Sequence, residues 1–184
     1  MNKNKITYAD DDYDSIGLLV RLRGPSLVIG LVFGLAISLV TSRFEEVLSQ
    51  NIHVAYFLPF IVYIADAIGS QTQTIYAGDL KSGKAKFLNY FKKETILGLF
   101  FGVIFGGIAG IIAQLWIGNN LLSFSVAIST FLAIFVAPIA ALIITEIIQL
   151  LKEDPASNSS PVTTVVQDMI SVVIYGLVCS LIML

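Results

Sequence analysis

The sequence predicts an all-α membrane protein with five transmembrane helices, and three observations carry that expectation: composition, the spacing of apolar runs and the placement of basic residues. Of 184 residues, 56% are hydrophobic and 13% charged, whereas a soluble domain averages roughly 45–50% apolar and about 25% charged. The mean hydropathy is +0.84. A helix needs about 20 apolar residues to cross the hydrocarbon core, and five segments qualify, at 24–42, 54–76, 95–117, 122–150 and 161–184. Residues 1–23 read as a short cytoplasmic tail and 24–184 as one five-helix transmembrane domain. A cytoplasmic N-terminus puts Lys3, Lys5, Arg21, Arg23, Lys81, Lys84, Lys86, Lys92, Lys93 and Lys152 inside and leaves Arg43 outside. This positive-inside asymmetry sets the orientation, with the C-terminus outside.

The remaining composition excludes several classes. A net charge of −2 argues against nucleic acid, which selects a basic surface. The single cysteine, Cys179, lies in an apolar run and reads as a small buried hydrophobe. The acidic start, with Asp10, Asp11, Asp12 and Asp14, differs from the basic n-region of a signal peptide and reads as a solvated tail. No nucleophile–base pair or phosphate-binding glycine loop appears, so an enzyme is not expected.

Each span has its own character. The first carries Gly30, Gly34 and Ser38, and the third carries Gly98, Gly102, Gly106 and Gly110, spacings that allow close helix approach. The second places Asp66, Gly69, Ser70 and Gln73 at i, i+3, i+4, i+7, hence on one face. Pro59, seven residues earlier, is expected to kink or loosen the outer half of that helix. The fifth repeats the pattern with Thr164, Asp168, Ser171 and Tyr175, after an Asn158-Ser159-Ser160-Pro161 start that reads as an N-cap followed by proline in the first turn. Trp116, next to Gly118-Asn119-Asn120, fits an outer interfacial anchor. His53, without other nitrogen or sulfur ligands nearby, reads as a surface histidine, and the lysines of 81–93 as a topology signal and anionic-lipid contact.

Three carboxylates fall inside these spans, Asp66, Glu146 and Asp168, with no Lys or Arg beside them. Ionisable residues at membrane depth are costly and point to function. Asp168 lies about 10 Å from the cytoplasmic start of its helix and Asp66 about 15 Å from the cytoplasmic end of its own, at about 1.5 Å per residue, so both can line one chamber. The structural alternatives are a carboxylate bonded to Ser or Thr for Asp168 and a brace for an irregular turn near Gly69 and Gln71 for Asp66. Glu146, six residues before Lys152, either serves function or anchors the helix end by snorkelling or pairing.

Oxygen ligands select hard ions, and magnesium is met by one or two carboxylates while retaining several waters. Asp168 with Thr164 and Ser171 supplies that chemistry, and a twofold dimer would set each acid opposite its copy. Two like charges at close range favour a proton or cation between them, which couples ion occupancy to proton competition. The leading expectation is a divalent cation channel or transporter. A proton- or sodium-coupled carrier using the same carboxylates, and a non-conducting membrane accessory protein, are the alternatives.

From about Arg21 onward the chain resembles the transmembrane domain of MgtE-type magnesium channels and transporters. The resemblance rests on Ser42-Arg43-Phe44-Glu45, on Phe57-Leu58-Pro59 followed by Asp66-Ala67-Ile68-Gly69-Ser70-Gln71-Thr72, and on Asp154-Pro155-Ala156, Ser160-Pro161-Val162-Thr163-Thr164, Asp168 and Ile174-Tyr175. It implies a homodimer in a bacterial inner membrane, with the pore between subunits. Asp168 would then match the acid that binds hydrated Mg2+, with Asp66 and Thr164 as further metal residues and Ser171, Tyr175, Ser70, Gln73, Thr163 and Glu146 as pore-lining candidates. Mg2+ is the implied cargo, and other divalent cations fit the same chemistry. Ala65-Asp66-Ala67 departs from the family's common Gly-Gly-Asn, which suggests that Asp66 replaces or supplements a pore-lining amide. In the fourth span, where members often carry proline, Thr145 beside Glu146 reads as the counterpart. Members commonly carry a cytosolic helical domain and paired CBS domains that bind magnesium and close the pore. Residues 1–23 cannot hold them, so control is expected from the acidic tail, from a separate regulatory partner, or not by that route.

Overall fold

The computed structural model describes the backbone of residues 12–152 and 155–184, and the side chains of all of these except 155–158. The chain forms α1 (Ile16–Ser42), α2 (Glu45–Gln50), α3 (His53–Lys81), α4 (Phe87–Ile117), α5 (Asn120–Leu150) and α6 (Pro155–Met183). All but the six-residue α2 are long and apolar enough to cross a membrane. They correspond to the five expected spans.

The helices outrun the apolar segments at most ends, because helical hydrogen bonding continues where hydrophobic sequence stops. α1 begins at Ser15, whose hydroxyl accepts from the Leu18 N–H at 3.4 Å, so Pro25 lies inside α1 rather than at its start. α5 is capped by the Asn119 side chain, which accepts from the Leu122 N–H at 3.0 Å. It ends where Lys152 turns to a positive φ of 61°. α6 begins at Pro155, whose fixed φ suits a first helical position, and Pro161 lies within it. The helix therefore starts upstream of the cap expected at 158–160, and the Asn158 side chain lies outside the described residues, as do Asp10, Asp11, Asp154, Lys3 and Lys5. α3 is helical throughout, with Pro59 inside it, so Asp66 has no irregular turn to brace. The fourth span does contain a proline, Pro138, buried in α5.

α5 and α6 form the centre. α4 packs on α5, α1 on α6, and α3 lies against both central helices. The glycine ridge of α4 explains the closest of these contacts. A Cβ at Gly98, Gly102 or Gly106 would stand 2.8–2.9 Å from the carbonyl oxygens of Phe135, Phe131 or Ala127. Gly110 would meet the Ala127 Cβ at 2.7 Å, so each glycine admits the α5 backbone. The shorter glycine series of α1 does not do the same: Gly34 faces open space and Gly30 only approaches Pro161. α1 is also the least enclosed span, with 6% of its most apolar window buried against 44% for α5.

Polarity is divided along the bundle. The apolar core gathers Val54, Phe57, Ile61 and Ala65 of α3 with Ala109, Ala113, Leu122, Val126, Tyr175 and Cys179, near the end that carries the α1–α3 connection. Trp116 stands there, stacked on Tyr56 at 6.1 Å and edge-on to Phe57 at 5.7 Å. His53 is tied to the Asn51 side chain at 3.1 Å. The opposite end carries the start of α1 and the α3–α4 connection with its lysines. In that half lie the Asp66, Glu94, Glu146 and Asp168 carboxylates.

Candidate functional site

Asp66 on α3 and Asp168 on α6 are both half-buried, on helices that pack against each other. Helix direction explains their shared depth. α3 runs toward the lysine-bearing end and α6 away from it, so residues at similar distances from that end reach the same depth. The Asp66 Oδ1 atom is buried without a hydrogen-bond partner. Neither acid forms an ion pair with a described residue. Charge at this depth needs compensation, which a cation would supply.

The ground beside them is set by a residue the stripe pattern passed over. Gln167 is 2% exposed, and its Nε2 donates to the Ala137 carbonyl of α5 at 3.3 Å. The same amide fills the notch at Gly69, where a Cβ would lie 2.1 Å from Nε2. Gln167 thus joins α6 to α5 and α3 one residue before Asp168. Its Oε1 and the Thr163 Oγ1 are buried without partners. A glutamine in an apolar run was a signal in itself, but it lies one residue off the Asp168 stripe.

The other expected site residues divide into two groups. Thr164 and Ser70 are half-buried on the same two helices as the acids. Ser171 is buried in the bundle. Gln73 is buried and its Nε2 donates to Ser159 Oγ at 2.8 Å, which ties α3 to the start of α6. Tyr175 is buried and its hydroxyl donates to the Val54 carbonyl at 2.8 Å, among the apolar core residues.

Glu146 belongs to a different constellation. Its Oε2 accepts from the Tyr76 hydroxyl at 2.5 Å, so it bridges α5 to α3. The Tyr90 hydroxyl donates to Asp79 Oδ2 at 2.7 Å, Thr72 donates to Glu94 Oε2 at 2.8 Å, and the Tyr76 and Tyr90 rings sit 4.8 Å apart. Hydroxyl donors on α3 and α4 satisfy these carboxylates. Glu94 escaped the sequence reading because it stands one residue before the third apolar segment. Tyr76→Phe is expected to strand the Glu146 carboxylate and to cost about 1–3 kcal/mol of stability. Thermal unfolding in detergent would show a lowered midpoint, and an unchanged midpoint would contradict the bridge.

Among the described residues, no group of three or more His, Cys, Asp or Glu side chains is arranged to hold a metal ion. A single chain therefore offers a carboxylate pair with hydroxyl and amide neighbours. Such a donor set suits a hard cation that keeps most of its waters.

A family model described as MgtE, divalent cation transporter, matches residues 58–178. The chain is 31% identical over 156 residues to a magnesium transporter MgtE of Bacillus subtilis, covering 83% of this chain and 35% of that protein. It is 29% identical over 164 residues to a magnesium transporter MgtE of Enterococcus faecalis, covering 88% and 36% respectively. For a magnesium transporter MgtE of Thermus thermophilus the identity is 26% over 156 residues, covering 81% and 34%. The chain spans about a third of the length of these curated relatives. The matched region holds Asp66 and Asp168.

Proposed function

The chain belongs to the MgtE family of divalent cation transporters, and from that premise we propose that it moves magnesium along a path lined by α3 and α6, with the ion held by Asp66 and Asp168. It is an integral membrane protein with five apolar membrane-length helices, and its bacterial relatives place it in the plasma membrane. The observation that carries the proposal is the presence of two half-buried carboxylates on the packed helices α3 and α6, neither in an ion pair with a described residue and one with its Oδ1 atom buried and without a hydrogen-bond partner. A dication would offset charge that the fold leaves uncompensated.

Hydration decides how the site would work. Magnesium loses its waters reluctantly, so carboxylates meet it through one or two direct or water-mediated contacts. Thr164 and Ser70 would hydrogen-bond the retained waters, and the Gln167 amide would hold Asp168 in register. Two chains related by a twofold axis would oppose their α3–α6 faces and bring four carboxylates around one path. That arrangement supplies the further oxygen ligands that one chain lacks.

The test is uptake of Mg2+, Mn2+, Co2+ and Ca2+ into proteoliposomes, with and without an imposed proton gradient. Magnesium uptake is expected down its own gradient with no proton gradient present. Two carboxylates on packed helices also suit a shared proton, which supports a second reading as a proton-coupled carrier. Uptake that requires the proton gradient would select that reading over passive conduction.

A further inference from the structure

α1 and α5 both pack on α6 but scarcely on each other. Between them lies a cleft of about 400 Å3. Its walls are Pro25 and Ile29 of α1 and, opposite, Ile148 of α5 and Leu151 just past its end; Val162 of α6 contributes to its lining, and Arg21 stands among them. Ser26 also lines the cleft, but its hydroxyl is committed to the Arg23 carbonyl at 2.9 Å. Among the described residues Arg21 is the only charged group in the lining; it is exposed and forms no hydrogen bond or ion pair with a described residue.

The chemistry of the cleft is that of an amphiphile's partner. Arg21 and Ile29 are separated by about 12 Å along the helix, at about 1.5 Å per residue. An apolar slot thus leads away from a cation at the lysine-bearing end of the bundle. Water gains little from such a lining. Basic pockets between membrane helices on that side suit anionic headgroups, and the apolar remainder suits an acyl chain.

We propose that this cleft binds one anionic phospholipid, with its phosphate on Arg21 and an acyl chain laid between α1 and α5 over Val162. The lipid would replace the missing α1–α5 contact and brace the first turns of α6, two turns from Asp168. The proposal rests on the membrane embedding of the chain and not on which ion it moves. Binding and flux are read separately, so failure of either leaves the other tested.

Native mass spectrometry of the purified protein in mild detergent tests it, with titrations of phosphatidylglycerol, chain-matched phosphatidylcholine and glycerol phosphate. Wild type is expected to favour phosphatidylglycerol over phosphatidylcholine by about fivefold, the contribution of one juxtamembrane cation. Arg21→Gln should lower phosphatidylglycerol binding to the phosphatidylcholine level. Leu151→Trp and, on the opposite wall, Ile29→Trp should each fill the cleft and remove both lipid adducts, with folding checked by thermal unfolding. Equal adducts in wild type, Arg21→Gln and whichever tryptophan variant folds would overturn the proposal. Saturation by glycerol phosphate at the same concentration as the lipid would also overturn it, in favour of a free-anion site.

Discussion

Asp168→Asn is expected to cut magnesium uptake by proteoliposomes by about a hundredfold while leaving the protein folded. Two unit charges 4 Å apart interact by roughly 4 kcal/mol at an effective dielectric near 20, and about 2.7 kcal/mol already corresponds to a hundredfold. The amide keeps the shape of the carboxylate and removes only its charge, so the loss reports on the ion and not on packing. Removal of a half-buried charge should leave thermal stability unchanged or raise it. Asp66→Asn is expected to reduce uptake in the same direction but less, because one oxygen of Asp66 is already buried. Normal uptake by Asp168→Asn would remove the acid pair from the transport path.

Gly69→Ala is the second large effect, and it acts through Gln167. The added methyl would overlap the Gln167 amide, with its carbon 2.1 Å from Nε2. The amide is enclosed between α3 and α5 and bonded to the Ala137 carbonyl, so it cannot swing aside without giving up that bond. Overpacking of this kind costs about 1–3 kcal/mol. The displaced side chain is the neighbour of Asp168, so uptake is expected to fall by about tenfold or more. Adding Gln167→Ala should restore part of the loss, because the methyl then enters the space the amide vacates. Residues in contact show coupling energies of about 0.5–3 kcal/mol, and a double-mutant cycle on uptake and on unfolding midpoint reads it. Strict additivity would mean that Gly69 and Gln167 do not act on each other.

The membrane class and the five spans were legible because hydrocarbon thickness imposes a length on apolar sequence. The ends were less legible, since hydropathy marks where apolar residues stop and helices continue beyond them. Arg21 and Arg23 lie within α1, and Lys92 and Lys93 within α4, in turns that a hydropathy reading trims away. α2 was missed because its six residues include Glu45, Glu46 and Gln50 and present no apolar run. Helical periodicity placed Asp66 and Asp168 on polar faces, and antiparallel depth brought those faces together.

Periodicity could not say which polar groups would be spent on the protein itself. Tyr175 and Gln73 share stripes with the acids, yet one bonds the Val54 carbonyl and the other Ser159. Glu146 read either as a functional acid or as a helix-end anchor, and only the fold reveals Tyr76 across the α3–α5 contact as its donor. Such pairings join residues 70 to 121 positions apart. No local pattern encodes them. The absence of a nearby basic residue in sequence therefore meant two things: a hydroxyl partner for Glu146, and no protein partner for the Asp66 Oδ1 atom.

The most direct measurement is the binding of Mn2+, as a paramagnetic stand-in for Mg2+, to purified protein by electron paramagnetic resonance. The account predicts Mn2+ binding that added Mg2+ displaces and that the double variant Asp66→Asn/Asp168→Asn loses. If that variant, folded and of unchanged oligomeric state, binds Mn2+ as wild type does, the cation is not held by these two carboxylates.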